Sequence, residues 1–246
     1  MPDTIYWMLV DSHHRLLETQ GLLSPFEFQM FSAFRFQKRR DEWLMGRWTA
    51  KSLVQSQPAY HRIPLDKIEI RNMPEGAPYI LLQDGKLPGN CLSISHSDSL
   101  AFCALASGPD LQIGADLEKI EARVGNFAAD YFTQAEQSLV DAHSSKSRDI
   151  LITLIWSVKE AMLKALGVGL HWDTRQVEIS EIEGLDVPTG EWQKIQVFTR
   201  STDQHWSANW QRRGDYILTL AGLKSEPVDS LIVEKKPYLD ERGSGT

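Results

Sequence analysis

Apolar positions recur with two periods along the chain, and the alternation between them divides it into strands and helices. Residues 4–10 form an apolar run that stops at Asp11, as a strand does. Ser24-Pro25-Phe26-Glu27 has the pattern of a capping box with proline at the first helical position, so a helix starts there. Residues 40–55 follow with helical spacing: Leu44, Trp48, Ala50 and Val54 face inward, while Arg40, Trp43, Arg47 and Lys51 share a stripe. Two short strands, 68–71 and 79–82, flank a proline-bounded turn. Residues 91–95, 100–106 and 111–117 read as a three-stranded meander. A second capping box, Thr133-Gln134-Ala135-Glu136, opens a helix to about residue 143. The longest helix spans 148–170, with Ile152, Ile155, Trp156, Leu163 and Leu166 on its buried face and Gly167 as its stop. Strands at 177–180, 194–199, 206–210 and 216–221 complete the pattern, and the tail from 226 is charged, glycine-rich and expected to be loosely held.

The pattern also repeats. Shifted by 108 positions, Arg40, Asp41, Leu44, Trp48, Thr49 and Lys51 fall on Arg148, Asp149, Ile152, Trp156, Ser157 and Lys159. The two capping boxes are offset by 109. The expected fold is therefore α+β, in two pseudo-symmetric halves that each pack a long helix on a small antiparallel sheet. Residues 1–110 form the first half, 111–225 the second and 226–246 a tail, with a ligand cleft expected between the halves.

Composition narrows the class. With 246 residues and 42% apolar content, the chain can bury a sizeable core. It contains no apolar run of membrane-spanning length and no signal-like N-terminus, and its two cysteines form no disulfide framework, so a cytoplasmic, reducing setting is expected. The net charge of −7 argues against nucleic acid as a partner. Yet Arg35, Lys38, Arg39, Arg40, Arg47 and Lys51 outnumber Asp41 and Glu42, leaving a basic island suited to one anionic ligand.

Candidate chemistry gathers at the meander. In that arrangement its first and third strands run the same way on either side of the second, about 9–10 Å apart. His96 would end one, and Asp116 and Glu118 the other. Alternation points both carboxylates to one side while Leu117 faces the core. Joined by Glu160 from the long helix, they make a hard oxygen site that suits Mg²⁺, an ion that retains waters and takes substrate phosphate. Taken one by one, these residues have plainer explanations: Glu160 and Lys164 are spaced as an exposed helical pair, and His96 sits where it would cap a turn.

Three motifs in order carry a resemblance: Ser95-His96-Ser97, Gly114-Ala115-Asp116-Leu117-Glu118, and Trp156-Ser157-Val158-Lys159-Glu160-Ala161-Met162-Leu163-Lys164 followed by Gly167-Val168-Gly169-Leu170. The chain resembles the 4′-phosphopantetheinyl transferases of the surfactin-synthetase-activating type. That resemblance implies transfer of the 4′-phosphopantetheine arm of coenzyme A to a serine of an apo acyl or peptidyl carrier protein, releasing adenosine 3′,5′-bisphosphate. It implies Mg²⁺ on Asp116, Glu118 and Glu160, with Glu160 also as base. Lys164, His96 and Ser95 would attend the pyrophosphate, and Lys159 the leaving side. A monomer is implied as well. Where family members hold the 3′-phosphate with lysines, this chain has Glu27, Met30 and Ala77, and a family arginine is Glu42; Arg39 and Arg47 are the expected substitutes, with Arg40 and Lys51 nearby. Two alternatives share the same residues: a non-catalytic coenzyme A or carrier docking module, and a Mg²⁺-dependent phosphohydrolase.

Overall fold

The structure is a computed structural model, and it describes residues 4–11, 18–83, 85–87, 89–108, 111–185, 190–223 and 232–235. The fold is mixed α+β with antiparallel sheets. Strand β1 (Thr4–Asp11) leads to α1 (Pro25–Ala33) and α2 (Gln37–Gln55), then β2 (Glu69–Asn72), β3 (Pro78–Leu82), β4 (Gly85–Lys86), β5 (Asn90–Ser97), β6 (Leu100–Ser107) and β7 (Gln112–Lys119). Helices α3 (Phe127–Tyr131), α4 (Gln134–Asp141) and α5 (Ser145–Ala165) follow, then β8 (Val177–Ile182), β9 (Gln193–Thr199), β10 (Gln204–Arg213), β11 (Tyr216–Leu223) and β12 (Ile232–Lys235).

One sheet has the order β12-β1-β6-β5, a second β7-β11-β10-β9-β8, and a small third β2-β3-β4. The expected three-stranded meander is therefore broken. β5 pairs with β6, but β7 leaves them and pairs antiparallel with β11. The tail also departs from expectation: its described stretch, β12, pairs parallel with β1. The rest of that tail lies outside the described residues.

Alternation along the strands explains the layers. On β6, Cys103 and Leu105 meet Ala50, Leu53 and Val54 of α2, whereas Phe102 and Ala104 pack with Ile113, Ala115 and Leu117 of β7. Helix α5 buries Leu151, Ile155, Val158 and Met162 against Ile195, Val197 and Ile217 of the second sheet. Leu117 faces the core between the sheets, as expected, so Asp116 and Glu118 are left on the α5 side.

β5 and β7 meet at the seam without a backbone ladder. The Ser93 Oγ accepts from the Ala115 N–H at 2.9 Å, Ser95 Oγ from the Leu117 N–H at 3.2 Å, and Cys91 Sγ from the Ile113 N–H at 3.5 Å. Every second β5 side chain thus satisfies an N–H of an edge strand that would otherwise be orphaned.

Both capping boxes form as the sequence indicated, and each serves a second purpose. Beyond closing the box with Ser24, Glu27 accepts from the Ile70 N–H at 3.1 Å and pairs with the Lys51 Nζ. Glu136 closes the box with Thr133, accepts from the Ile179 N–H at 2.9 Å and pairs with the Lys159 Nζ at 2.9 Å. Both lysines are fully buried, and each also donates to two backbone carbonyls: Leu22 and Leu65 for Lys51, Thr174 and Val177 for Lys159.

Candidate active site

Gly114 begins the site. A Cβ there would lie 1.8 Å from the Ala161 carbonyl oxygen of α5, so only glycine lets the helix approach β7 this closely. Two residues on, that approach brings the Lys164 Nζ to 2.7 Å from Asp116 Oδ1; the ammonium also donates to the Ala115 carbonyl at 3.1 Å. Ser95 completes the group, its hydroxyl donating to the same Asp116 oxygen at 3.1 Å with Lys164 Nζ 3.4 Å away. Ser95, Asp116 and Lys164, drawn from three motifs, therefore meet.

The other Asp116 oxygen, Oδ2, is buried with no hydrogen-bond partner, and so is Glu160 Oε1. Glu160 is half-buried; desolvation pushes its carboxyl up to about 7, Lys164 opposing and Asp116 and Glu118 adding to the rise. Glu118 is differently placed. The Trp156 indole N–H donates to its Oε1 at 3.0 Å, and Arg123 Nη2 lies 2.7 Å from Oε2. Trp156 is thus half-buried beside a carboxylate, whereas its counterpart Trp48 is a buried core residue. Among the described residues, no three His, Cys, Asp or Glu side chains converge closely enough to hold a metal ion. The donor chemistry nonetheless fits a hard divalent cation, because two buried carboxylate oxygens lack the partner that such atoms require.

On its opposite face, β5 turns His96 towards α2. A cavity of about 660 Å³ is lined there by Arg39, Arg47, Arg71, His96, Tyr79 and Trp43, among others. Arg39 Nη1 lies 3.4 Å from His96 Nε2, and burial holds the imidazole below its ordinary value, helped by Arg39 and Lys164 against the pull of Glu42. Arg47 stacks over Trp43 at 4.6 Å and donates to Asn72 Oδ1 at 3.2 Å. Arg40 instead donates to the Phe34 carbonyl.

Two lysines fall away from the positions their sequence pattern suggested. Lys159 was expected on the leaving side, but it is enclosed by Glu136 and two carbonyls in the core. Lys51 was expected on the basic stripe, but it is held the same way by Glu27. In each case a buried carboxylate supplied by a capping box offsets the cost of burying the ammonium. Arg71 and Arg123 were missed. Arg71 could have been found from the strand pairing, which sets it opposite Tyr79 beside the Gly76-Ala77-Pro78 turn; no motif marks Arg123.

Comparison with known proteins takes in the two motifs that begin at Gly114 and Trp156. Residues 112–221 match the model of the 4′-phosphopantetheinyl transferase superfamily. A 4′-phosphopantetheinyl transferase of Bacillus subtilis is 36% identical over 96 residues, 39% of either chain. The 4′-phosphopantetheinyl transferase HetI of a Nostoc species is 27% identical over 177 residues, covering 71% of this chain and 70% of that one. An L-aminoadipate-semialdehyde dehydrogenase-phosphopantetheinyl transferase of Xenopus laevis is 21% identical over 195 residues, 75% of this chain and 63% of the relative, so the chain spans about three-fifths of that protein. Holo-[acyl-carrier-protein] synthase of Thermotoga maritima aligns with a TM-score of 0.38 at 21% identity over 48% of this chain and 66% of the other, too slight a likeness to bear on the fold. Across residues 112–221, then, the chain is similar to the 4′-phosphopantetheinyl transferase superfamily. No helix among the described residues is long and apolar enough to cross a membrane.

Proposed function

We propose that the protein transfers the 4′-phosphopantetheine arm of coenzyme A to a serine hydroxyl of an apo acyl or peptidyl carrier protein. The observation that carries this is the pair of buried, unpartnered oxygens on Asp116 and Glu160, set beside the Lys164 ammonium in a segment that matches the superfamily model. A divalent cation, Mg²⁺ by donor hardness, would be held by Asp116, Glu118 and Glu160. When bound, it neutralises pyrophosphate charge.

The chain's own groups account for the remainder of the reaction. Lys164 offers an ammonium to a pyrophosphate oxygen, with Ser95 fixing its direction. Arg39, Arg47 and His96, joined by Arg71, give the cavity on the other face of β5 a cationic lining for the 3′-phosphate. His96 is neutral when the cavity is empty and gains a reason to protonate when an anion arrives. The serine oxygen forms a bond to the phosphorus bearing the arm, the bond from that phosphorus to the bridging oxygen breaks, and adenosine 3′,5′-bisphosphate leaves. Glu160 accepts the serine proton.

The repeated Glu–Lys arrangement supports two related halves, joined near residue 110, with the reaction where they meet. A monomer working in the cytoplasm fits this reading. The test incubates the protein with coenzyme A, Mg²⁺ and apo-carrier and follows carrier mass. A gain of one phosphopantetheine arm is expected. No gain despite binding would make it a docking module, and bisphosphate release without a carrier would make it a phosphohydrolase.

A further inference from the structure

Glu118 is the member of the carboxylate trio with both oxygens engaged. Trp156 Nε1 holds Oε1 at 3.0 Å and Arg123 Nη2 holds Oε2 at 2.7 Å, while Asp116 Oδ2 and Glu160 Oε1 are buried and unpartnered. Asp116 is only 3% exposed, so its orphaned oxygen has no access to bulk water in compensation. The trio is therefore two-thirds ready. Glu118 is instead turned towards Arg123.

Arg123 itself is imperfectly housed. Its Nε is buried with no hydrogen-bond partner, although the guanidinium stands 5.2 Å from the Phe127 ring and Nη1 lies 3.7 Å from the exposed Glu121 carboxylate. It sits in the connection between β7 and α3, outside regular structure and two residues before Gly125 in the left-handed region. Moving it breaks no backbone ladder and gives its orphaned N–H access to water.

We propose that Arg123 is a counter-ion gate: it occupies Glu118 while the site is empty and must release it before the three carboxylates gather round a divalent cation. Arg123 is thus a positioning residue acting through Glu118, and it sets the cation concentration at which the site fills. The inference rests on the metal site of the proposed function and adds to it a sign. A guanidinium that merely braces Glu118 would assist metal binding; a gate opposes it.

The experiment measures binding of Mn²⁺ alone by electron paramagnetic resonance, without coenzyme A or carrier, in the full chain and in three variants. Arg123→Gln removes the competing charge and should bind Mn²⁺ about three- to tenfold more tightly, the range expected for freeing one partly buried charge-assisted hydrogen bond. Arg123→Lys keeps the charge but loses the fork and should fall between the two. Asp116→Asn should abolish the site. Unchanged or weaker binding in Arg123→Gln, with Asp116→Asn still inactive in binding, would overturn the gate and leave the metal site standing. Indifference of Mn²⁺ binding to Asp116→Asn would overturn both. Thermal melting of each variant separates misfolding from a change in affinity, and Arg123→Lys remains decisive if Arg123→Gln does not fold.

Discussion

Lys159 lies within the segment that matches the superfamily model, yet its ammonium is fully buried against Glu136. Replacing it with methionine keeps the length and apolar stem of the side chain while removing the charge. Glu136 would retain its N–H donors from Thr133 and Ile179 but lose its cation, and the carbonyls of Thr174 and Val177 would lose a donor. Breaking a buried pair from one side costs about 3–5 kcal/mol, a large part of the roughly 5–15 kcal/mol that holds a domain together. For a chain of this length that corresponds to a fall of about 6–20 °C in melting temperature. Urea unfolding followed by tryptophan fluorescence measures the loss, and transfer rate per folded molecule should change little. Lys51→Met should cost a similar amount, because Glu27 holds it in the same manner. Adding Glu136→Gln to Lys159→Met should recover part of the stability, since the stranded charge is then removed. A Lys159→Met protein of wild-type stability that has lost its transfer activity would refute the structural assignment and return the lysine to the chemistry.

Other consequences are as direct. The Glu160 carboxyl is pushed up to about 7 in the folded, metal-free protein from an ordinary 4.5, so unfolding releases a proton between those values and stability falls as pH rises across that window. In the presence of a chelator, Glu160→Gln should therefore gain roughly 1–2 kcal/mol at pH 8, after allowance for solvent screening, and nothing near pH 4; no gain at pH 8 would show that the carboxylate is well solvated. The same variant should lose about 10²–10⁴ in transfer rate if the group is the base, a loss that single-turnover kinetics would detect. Gly114→Ala would drive a methyl into the Ala161 carbonyl and should weaken Mn²⁺ binding as well as melting temperature, because α5 carries Glu160 and Lys164. Arg71→Ala and Arg47→Ala should each raise the KM for coenzyme A severalfold and leave that for 3′-dephospho-coenzyme A nearly unchanged; equal losses for both substrates would place these arginines elsewhere than at the 3′-phosphate.

The helices and strands were legible because their signals are local: two capping boxes, a C-terminal glycine and clean periodicity. The assembly of the sheets was not. β7 follows β6 closely, yet its partner β11 lies about a hundred residues on, and no local pattern distinguishes a third meander strand from the edge of another sheet. Of the motif residues, the structure places Asp116 and Lys164 together, but Glu118 is turned to an arginine that carries no motif. The two buried lysines were misplaced because lysine on a helix stripe usually reaches water. The clue lay in the near-equal offsets, which carried a lysine and a capping-box glutamate together to both places. Local spacing shows which residues share a face; it does not show that a glutamate more than twenty residues earlier in the chain is an immediate neighbour.

The seam of small side chains between β5 and β7 has a bearing on the chain's solubility. An edge strand with bare amide groups is a template on which stray strands assemble. Here Cys91, Ser93 and Ser95 seal that template from within the same molecule, and the apolar face behind it is covered by Phe102 and Ala104. The segment that carries the superfamily match begins at β7 itself, so if excised it would present an unsealed edge and an open core together. Such a fragment would have to recruit a second copy along β7 or precipitate, and the first hundred residues spare it that choice.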